Sequence, residues 1–207
     1  MAVHAVLTGD IVNSTWLDKT REKELTKRLE RLFAPSKFEF YRGDSFQVYI
    51  NEPKEALRVS LQCRTAAISM KREGDPADFD VRISIGIGRV LSPVRTLGKA
   101  KGEAFVLSGR NFDEMVKTDV RLSIHTLHPV VNTGLEILAD HINAIFKEMT
   151  SKQAEVIFEL LKQETQQAIS EKLRKSKSTI NQFVVSGKWE LIERLMDQYE
   201  KLITHLI

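Results

Sequence analysis

KFEFYRGDSFQVYIN, residues 37–51, has the alternation of two strands and a turn. Phe38, Phe40, Phe46, Val48 and Ile50 share one face of a period-two ribbon, with polar residues between them. Arg42-Gly43-Asp44-Ser45 supplies the turn. A hairpin with one apolar face cannot stand alone in water, so the flanking chain must provide a sheet and helices to cover it.

Upstream, residues 2–9 (AVHAVLTG) are apolar and β-prone and predict a buried strand ending at Asp10. Asn13, Ser14 and Thr15 offer capping side chains for a helix through Ala34, whose face carries Leu17, Leu25, Leu29, Leu32 and Phe33. Pro35-Ser36 breaks it. Downstream, Pro53 opens a long helix with Ala56, Leu57, Leu61, Ala67 and Met70 on its buried stripe, and Gly74-Asp75-Pro76 ends it. VRISIGIGRV (81–90) predicts a strand with Ile83, Ile85 and Ile87 on one side. A glycine- and base-rich connection (97–102) leads to a helix carrying Phe105, Val106, Phe112 and Met115, and 121–127 predicts a last strand. The order β-α-β-β-α-β, followed by α-β, predicts an α+β domain of ferredoxin-like type: an antiparallel sheet with helices on one face.

Beyond Pro129 the pattern is almost wholly helical. Residues 130–149 predict a connecting helix whose start is delayed by Asn132 to Gly134, and Thr150-Ser151-Lys152-Gln153 resembles a capping box opening a helix with Ala154, Ile157, Phe158 and Leu161 inward. ETQQAISEKLRKSKSTINQFVVSG (164–187) then has the layout of a helix-turn-helix. Thr165 caps a helix burying Ile169 and Leu173, and a Lys- and Ser-rich turn follows. In the second helix Ile180 and Phe183 point inward while Lys177, Ser178, Asn181 and Gln182 point outward. Arg174 and Lys175 occupy the usual glycine and apolar turn positions, which predicts a turn longer or looser than usual. From Lys188, Trp189, Met196 and Ile203 alternate with Ile192, Tyr199 and Leu206 as a stripe that packs on the helix-turn-helix or forms a dimer seam. The predicted organisation is an α+β domain over 1–128, a connecting helix over 129–149 and an all-α helix-turn-helix domain over 150–207.

The 207 residues are 42% hydrophobic and 29% charged, a globular composition that excludes extensive disorder. No apolar run reaches the roughly 20 residues that span a bilayer, so no membrane partner is expected. Cys63 is the single cysteine, which excludes a disulfide framework and fits a reducing cytoplasm. The net charge of +3 is mild, but Lys172, Arg174, Lys175, Lys177 and Lys188 have no acidic residue among positions 172–188. That patch coincides with the helix-turn-helix and points to double-stranded DNA, with Arg174, Lys175, Lys177, Ser178, Asn181 and Gln182 as the contacting residues and phosphate contact weighted over base reading. The function this predicts is a cytoplasmic, homodimeric DNA-binding regulator whose N-terminal domain is a ligand sensor or dimerisation platform.

Asp10 and Asp44 are the other chemical signal. The strand and hairpin that carry them are neighbours in a β-α-β-β order, which puts both carboxylates on one sheet edge. With the carbonyl of Ile11 they are suitable hard ligands for Mg²⁺ or Mn²⁺ bearing nucleotide phosphates. Spacing alone favours the plainer use, with Asp10 as a helix cap and Asp44 in an Asx turn.

VLTGDIVNST (6–15) and YRGDSFQVYI (41–50) resemble the two metal-binding signatures of class III nucleotide cyclases, VRISIGIGRV resembles a later strand of that family, and GEAFVLSGR (102–110) its helix bearing a catalytic Asn and Arg. The resemblance implies a nucleotide cyclase-like domain with Asp10, Ile11 and Asp44 at the metal and Arg110 on the nucleotide phosphates. Phe40 stands where the family has a base-selecting Lys, Val106 stands where it has the Asn, and the segment after Val90 is short for the base-recognition loop. These departures imply impaired base recognition and transition-state support, leaving metal-phosphate chemistry and a nucleotide ligand; the alternative function is a metal-dependent nucleotide-binding or nucleotide-cyclising enzyme using Asp10 and Asp44. Over nearly its whole length the chain also resembles the SatD family of bacterial proteins, through TGDIVNS (8–14), RGDSFQ (42–47), IGIG (85–88), GEAF with SGR (102–110), SKQAEVIFELLK (151–162), TQQAISEKL (165–173) and SGKW (186–189). That resemblance implies a cyclase-like domain fused to a DNA-binding helix-turn-helix.

Overall fold

A computed structural model describes residues 2–41, 43–91 and 94–206. The chain is α+β, with a five-stranded sheet and, among the described residues, eight α-helices. In chain order these are β1 (Val3–Val12), α1 (Lys19–Phe33), β2 (Lys37–Tyr41), β3 (Ser45–Ile50), α2 (Glu55–Ile68), β4 (Asp80–Arg89), α3 (Glu103–Met115) and β5 (Leu122–His125). The helices α4 (Pro129–Lys147), α5 (Ser151–Leu161), α6 (Gln166–Leu173), α7 (Lys177–Ser186) and α8 (Trp189–Thr204) follow. The hairpin at 37–50 forms as its alternation predicts, although Arg42 of its turn lies outside the described residues.

The sheet order is β2-β3-β1-β4-β5. β1 is antiparallel to both β3 and β4, while β5 is parallel to β4. The expectation of a wholly antiparallel sheet covered on one face is therefore corrected. Two parallel neighbours need a crossover, and α3 makes it on the face opposite the main core. Gly86 permits this close approach, because a Cβ there would lie 2.2 Å from the Ala104 carbonyl oxygen and 2.5 Å from the Ser108 nitrogen. Val106 is 48% exposed on α3.

The two faces of the sheet differ sharply in chemistry. Ala5, Leu7, Ile11, Phe46, Val48, Val81, Ile83, Ile85, Leu122 and Ile124 share the main core with α1, α2 and α4. The opposite face carries Thr8 and Asp10 of β1 beside Ser84 and Arg82 of β4, in register. β1 continues past Asp10 to Val12, so Asp10 lies within the strand and caps no helix. The cap of α1 is Asp18, which accepts from the Thr20 and Arg21 amides, while Ser14 to Trp16 form a short 3-10 turn ahead of it.

α2 is buried nearly all round, because the sheet covers one side and α5 the other. Its Arg64 is 1% exposed. Nε and Nη2 donate to the two Asp80 oxygens at 3.0 and 2.7 Å, and Nη1 donates to Asn143 Oδ1 at 3.0 Å. The Phe146 ring centre lies 4.6 Å from the guanidinium carbon. Asn143 in turn donates to the Leu122 carbonyl at 2.9 Å, so α2, β4, α4 and β5 meet at one charge.

The core runs without a break into the C-terminal helices. α4 starts at Pro129, undelayed by the Asn132 to Gly134 segment, because Asn132 Oδ1 accepts from the Thr126 amide and hydroxyl and so satisfies the preceding turn. The Thr150–Gln153 capping box is formed on both sides. Along α8, Ile192, Met196, Tyr199 and Ile203 are buried and Trp189 and Leu206 half-buried. The Tyr199 hydroxyl donates to the Pro53 carbonyl at 2.6 Å, so this stripe is used inside the chain and is not a free dimer seam. Asp80→Ala leaves the Arg64 charge buried with two of its three hydrogen bonds gone. A loss of about 3–5 kcal/mol is expected in urea unfolding, and a loss under about 1 kcal/mol would mean that Arg64 escapes to water.

Candidate functional site

The strongest candidate surface is formed by α6 and α7. Thr165 caps α6 by accepting from the Ala168 amide, and Ser176 caps α7 by accepting from the Thr179 amide. Only Arg174, Lys175 and Ser176 separate the two helices. Arg174 adopts the left-handed conformation, φ 52° and ψ 44°, where a glycine would be at ease. The Ser170 hydroxyl donates to the Lys175 carbonyl at 2.7 Å, and the Lys175 amide donates to the Ser170 carbonyl at 3.1 Å. The turn is thus short and fully bonded, which corrects the expectation of a longer or looser one. Helix-terminal hydrogen bonds compensate for the strain of Arg174, and the side chain of Lys175 is only half-buried.

Ile169, Ile180 and Val184 seat the pair in the core, with Leu173 and Phe183 half-buried around them. Lys177, Ser178, Asn181, Gln182 and Val185 are exposed along one side of α7, and Arg174 is exposed at its approach. All six expected contact residues therefore occur on α7 and the turn before it. The basic patch is smaller than the sequence suggests. Lys172 donates to Glu159 Oε2 at 2.7 Å, an acid distant in sequence, and this pairing raises the lysine above its ordinary pKa. Arg174, Lys175, Lys177 and Lys188 remain. Behind α7, Gly187 lies against Ile157, whose side chain a Cβ would meet at 3.2 Å, and α8 then starts from Lys188.

The carboxylates form a second arrangement. In register Asp10 faces Ser45, which places it beside Asp44 at the hairpin. The Ile11 amide donates to the Asp44 carbonyl at 3.0 Å, and the Ser14 hydroxyl donates to Asp44 Oδ2 at 2.9 Å. Structure thus brings together Asp10, Ile11 and Asp44. It adds a residue that sequence reading missed: Arg82, whose Nη1 stands 3.6 Å from Asp10 Oδ2. Burial raises the Asp10 carboxyl above its ordinary pKa; Arg82 opposes this, and the nearby Asp44 charge reinforces it. Arg121, the residue before β5, is lowered mainly by burial and next by the Arg82 charge. The signal for Arg82 was its alternation with Ile83 in VRISIGIGRV, but its partner became visible only once β4 paired with β1. Arg110 is exposed on α3 and has no ion pair to either carboxylate among the described residues.

Asp10 Oδ1, Arg82 Nε, Ser84 Oγ and Arg121 Nη1 are buried without a hydrogen-bond partner. Unpaired buried groups of this kind are costly, and they lie side by side on the polar sheet face. The orphaned Asp10 oxygen beside Asp44 fits a hard divalent cation that takes its remaining oxygens from a ligand and water. Among the described residues, no group of three or more His, Cys, Asp or Glu side chains can hold a metal by itself. Arg82 already offsets part of the charge that such an ion would neutralise.

No family model matches the chain, and no curated protein matches it. Among solved structures it is similar to two of a bacterial light-regulated adenylyl cyclase. One is 12% identical over 59% of this chain and 42% of that chain, with a TM-score of 0.39. The other is 12% identical over 59% of this chain and 43% of that chain, with a TM-score of 0.42. The chain spans less than half the length of these structures. No described helix is long and apolar enough to cross a membrane.

Arg174→Gly separates the fold of the turn from its charge. Relief of the left-handed strain is expected to stabilise the chain by up to about 1 kcal/mol in thermal unfolding, while any polyanion contact through Arg174 weakens. Destabilisation instead would show that the arginine side chain holds the turn.

Proposed function

We propose that the protein is a DNA-binding regulator of the cytoplasm that uses α6 and α7 as a helix-turn-helix. The observation that carries this reading is the three-residue turn with Arg174 in the left-handed conformation, leading into a Ser176-capped α7 whose exposed side bears Lys177, Ser178, Asn181 and Gln182. An apolar side fixed to a scaffold and a polar side free for a groove are what major-groove insertion requires. Arg174, Lys175 and Lys177 approach phosphates, and Asn181 and Gln182 have the amide chemistry that reads adenine. In this proposal residues 1–128 are a cyclase-like, ferredoxin-like sensor or dimerisation domain, 129–149 the connecting helix and 150–207 the DNA-binding domain, as the SatD resemblance implies. A homodimer would present two α7 helices to half-sites one helical turn or a multiple apart.

The test is fluorescence anisotropy on duplex DNA over a salt series. Lys177→Ala should weaken binding to all sequences and reduce the salt slope by about 1. Asn181→Ala should cost roughly 1–3 kcal/mol at one base position of a selected site. No binding to any duplex at low salt ends the proposal.

A second reading has its own observation, the row of orphaned polar atoms from Asp10 to Arg121. In it the polar sheet face is a metal-dependent nucleotide site, sensory or catalytic, with Asp10, the Ile11 carbonyl and Asp44 holding Mg²⁺ or Mn²⁺ and Arg110 reaching the phosphates. The metal would supply charge neutralisation of phosphate oxygens. Mg²⁺ with ATP should raise the melting temperature of the native chain but not of Asp44→Asn. Equal shifts for both, or none for either, would leave the carboxylates structural.

A further inference from the structure

A cavity of about 480 Å³ separates α1 from α5 and α6. Neither the α7 surface nor the carboxylate face uses it, and its volume suits a small molecule. Arg28 and Arg31 of α1 line one side, and Lys162 just after α5 and Lys172 of α6 line the other.

Charge is unevenly matched there. Glu159 is 6% exposed, and its Oε2 accepts from Lys172 at 2.7 Å and from Lys162 at 3.1 Å. One carboxylate therefore serves two ammonium groups. Across the cavity Arg28 is held by Glu24, whereas Arg31 has no ion pair or hydrogen bond among the described residues. Glu155 is a further carboxylate of the lining and stands exposed. Leu32, Phe158 and Leu173 give the cavity an apolar base, and the Lys162 ammonium lies 5.6 Å from the Phe158 ring centre. Two cationic walls over an apolar base suit a ligand with one anionic head and one apolar body.

We propose that this cavity binds a small amphipathic monoanion, a carboxylate on an apolar ring or chain, held between Arg31 and the Lys162–Lys172 pair. The ligand would touch α1, which belongs to the sheet core, and the last turn of α6, which leads into Arg174. Occupancy then bears directly on the turn before α7. That regulatory consequence rests on the DNA-binding reading; the binding itself does not.

The experiment is a titration of the ¹⁵N-labelled full chain with sodium benzoate at constant ionic strength, with benzamide as its neutral counterpart. Saturable shifts are expected at amides around Arg28 to Leu32, Phe158 to Lys162 and Lys172 to Leu173. Arg31→Glu should weaken benzoate roughly tenfold or more, the value of one charge-assisted contact. Arg31→Ala should weaken it less, and benzamide should leave the same amides unmoved. Arg31 is exposed, so both variants should keep the native spectrum. Absence of saturable shifts overturns the proposal, as does benzoate affinity unchanged by Arg31→Glu or equal binding of benzamide. A chain that binds benzoate there but no duplex would overturn the DNA reading and leave this one standing.

Discussion

The guanidinium of Arg64 sits where four elements of this protein converge. A charge at 1% exposure is tolerable only because both Asp80 oxygens, the Asn143 amide and the Phe146 face surround it. Such a group contributes less to net stability than to uniqueness, because its desolvation offsets much of the attraction. An arrangement that parted α2 from β4 at this point would strand a buried charge. The position of α4 follows from it, and with α4 in place the C-terminal helices close over α2. The bundle that presents α7 is therefore built onto the sheet core, not suspended from it.

The sheet shows a second constraint. Its main apolar face packs on α1, α2 and α4, while the opposite face is divided: Val6 and Tyr49 form a smaller apolar cluster with Ala104 and Phe105 of α3, and beside it lie Thr8, Asp10, Arg82, Ser84 and Arg121. A polar row in the middle of a sheet is not what packing alone would choose. α3 covers part of it through Gly86 and through the Thr8 to Ser108 hydrogen bond of 3.0 Å. The remainder holds the unpaired atoms. The sheet thus has one fully apolar side and one side whose polar row is incompletely satisfied.

Much of this was legible residue by residue. The hairpin alternation, the Thr150–Gln153 box, the Thr165 cap and the seating of Ile169 and Ile180 follow from local rules of period and capping, which act over a few residues. Misreadings arose where a distant partner decided the matter. Asp10 resembled a cap but belongs to the strand, because β4 pairs with β1 beyond it as far as Val12. Asn13, Ser14 and Thr15 offered caps for the first helix, yet the cap is Asp18, because β1 and the short turn after it delay the helix start to Lys19. Lys172 counted toward a basic patch until Glu159, thirteen residues earlier, reached it across α5 and α6.

By itself, then, the sequence determined the order of elements, the main apolar stripes, the caps at Thr150 and Thr165, and which stretch would be basic and polar outward. Those properties depend on the chain's own spacing and on short-range hydrogen bonding. Only the tertiary structure decided that β5 runs parallel to β4 and that α3 crosses the polar face. The same is true of Arg64 as a buried junction and of Arg82 standing beside Asp10. Charge pairs and strand neighbours are settled by which segments meet, and the cost of leaving a buried charge or amide unpaired is what selects among those meetings.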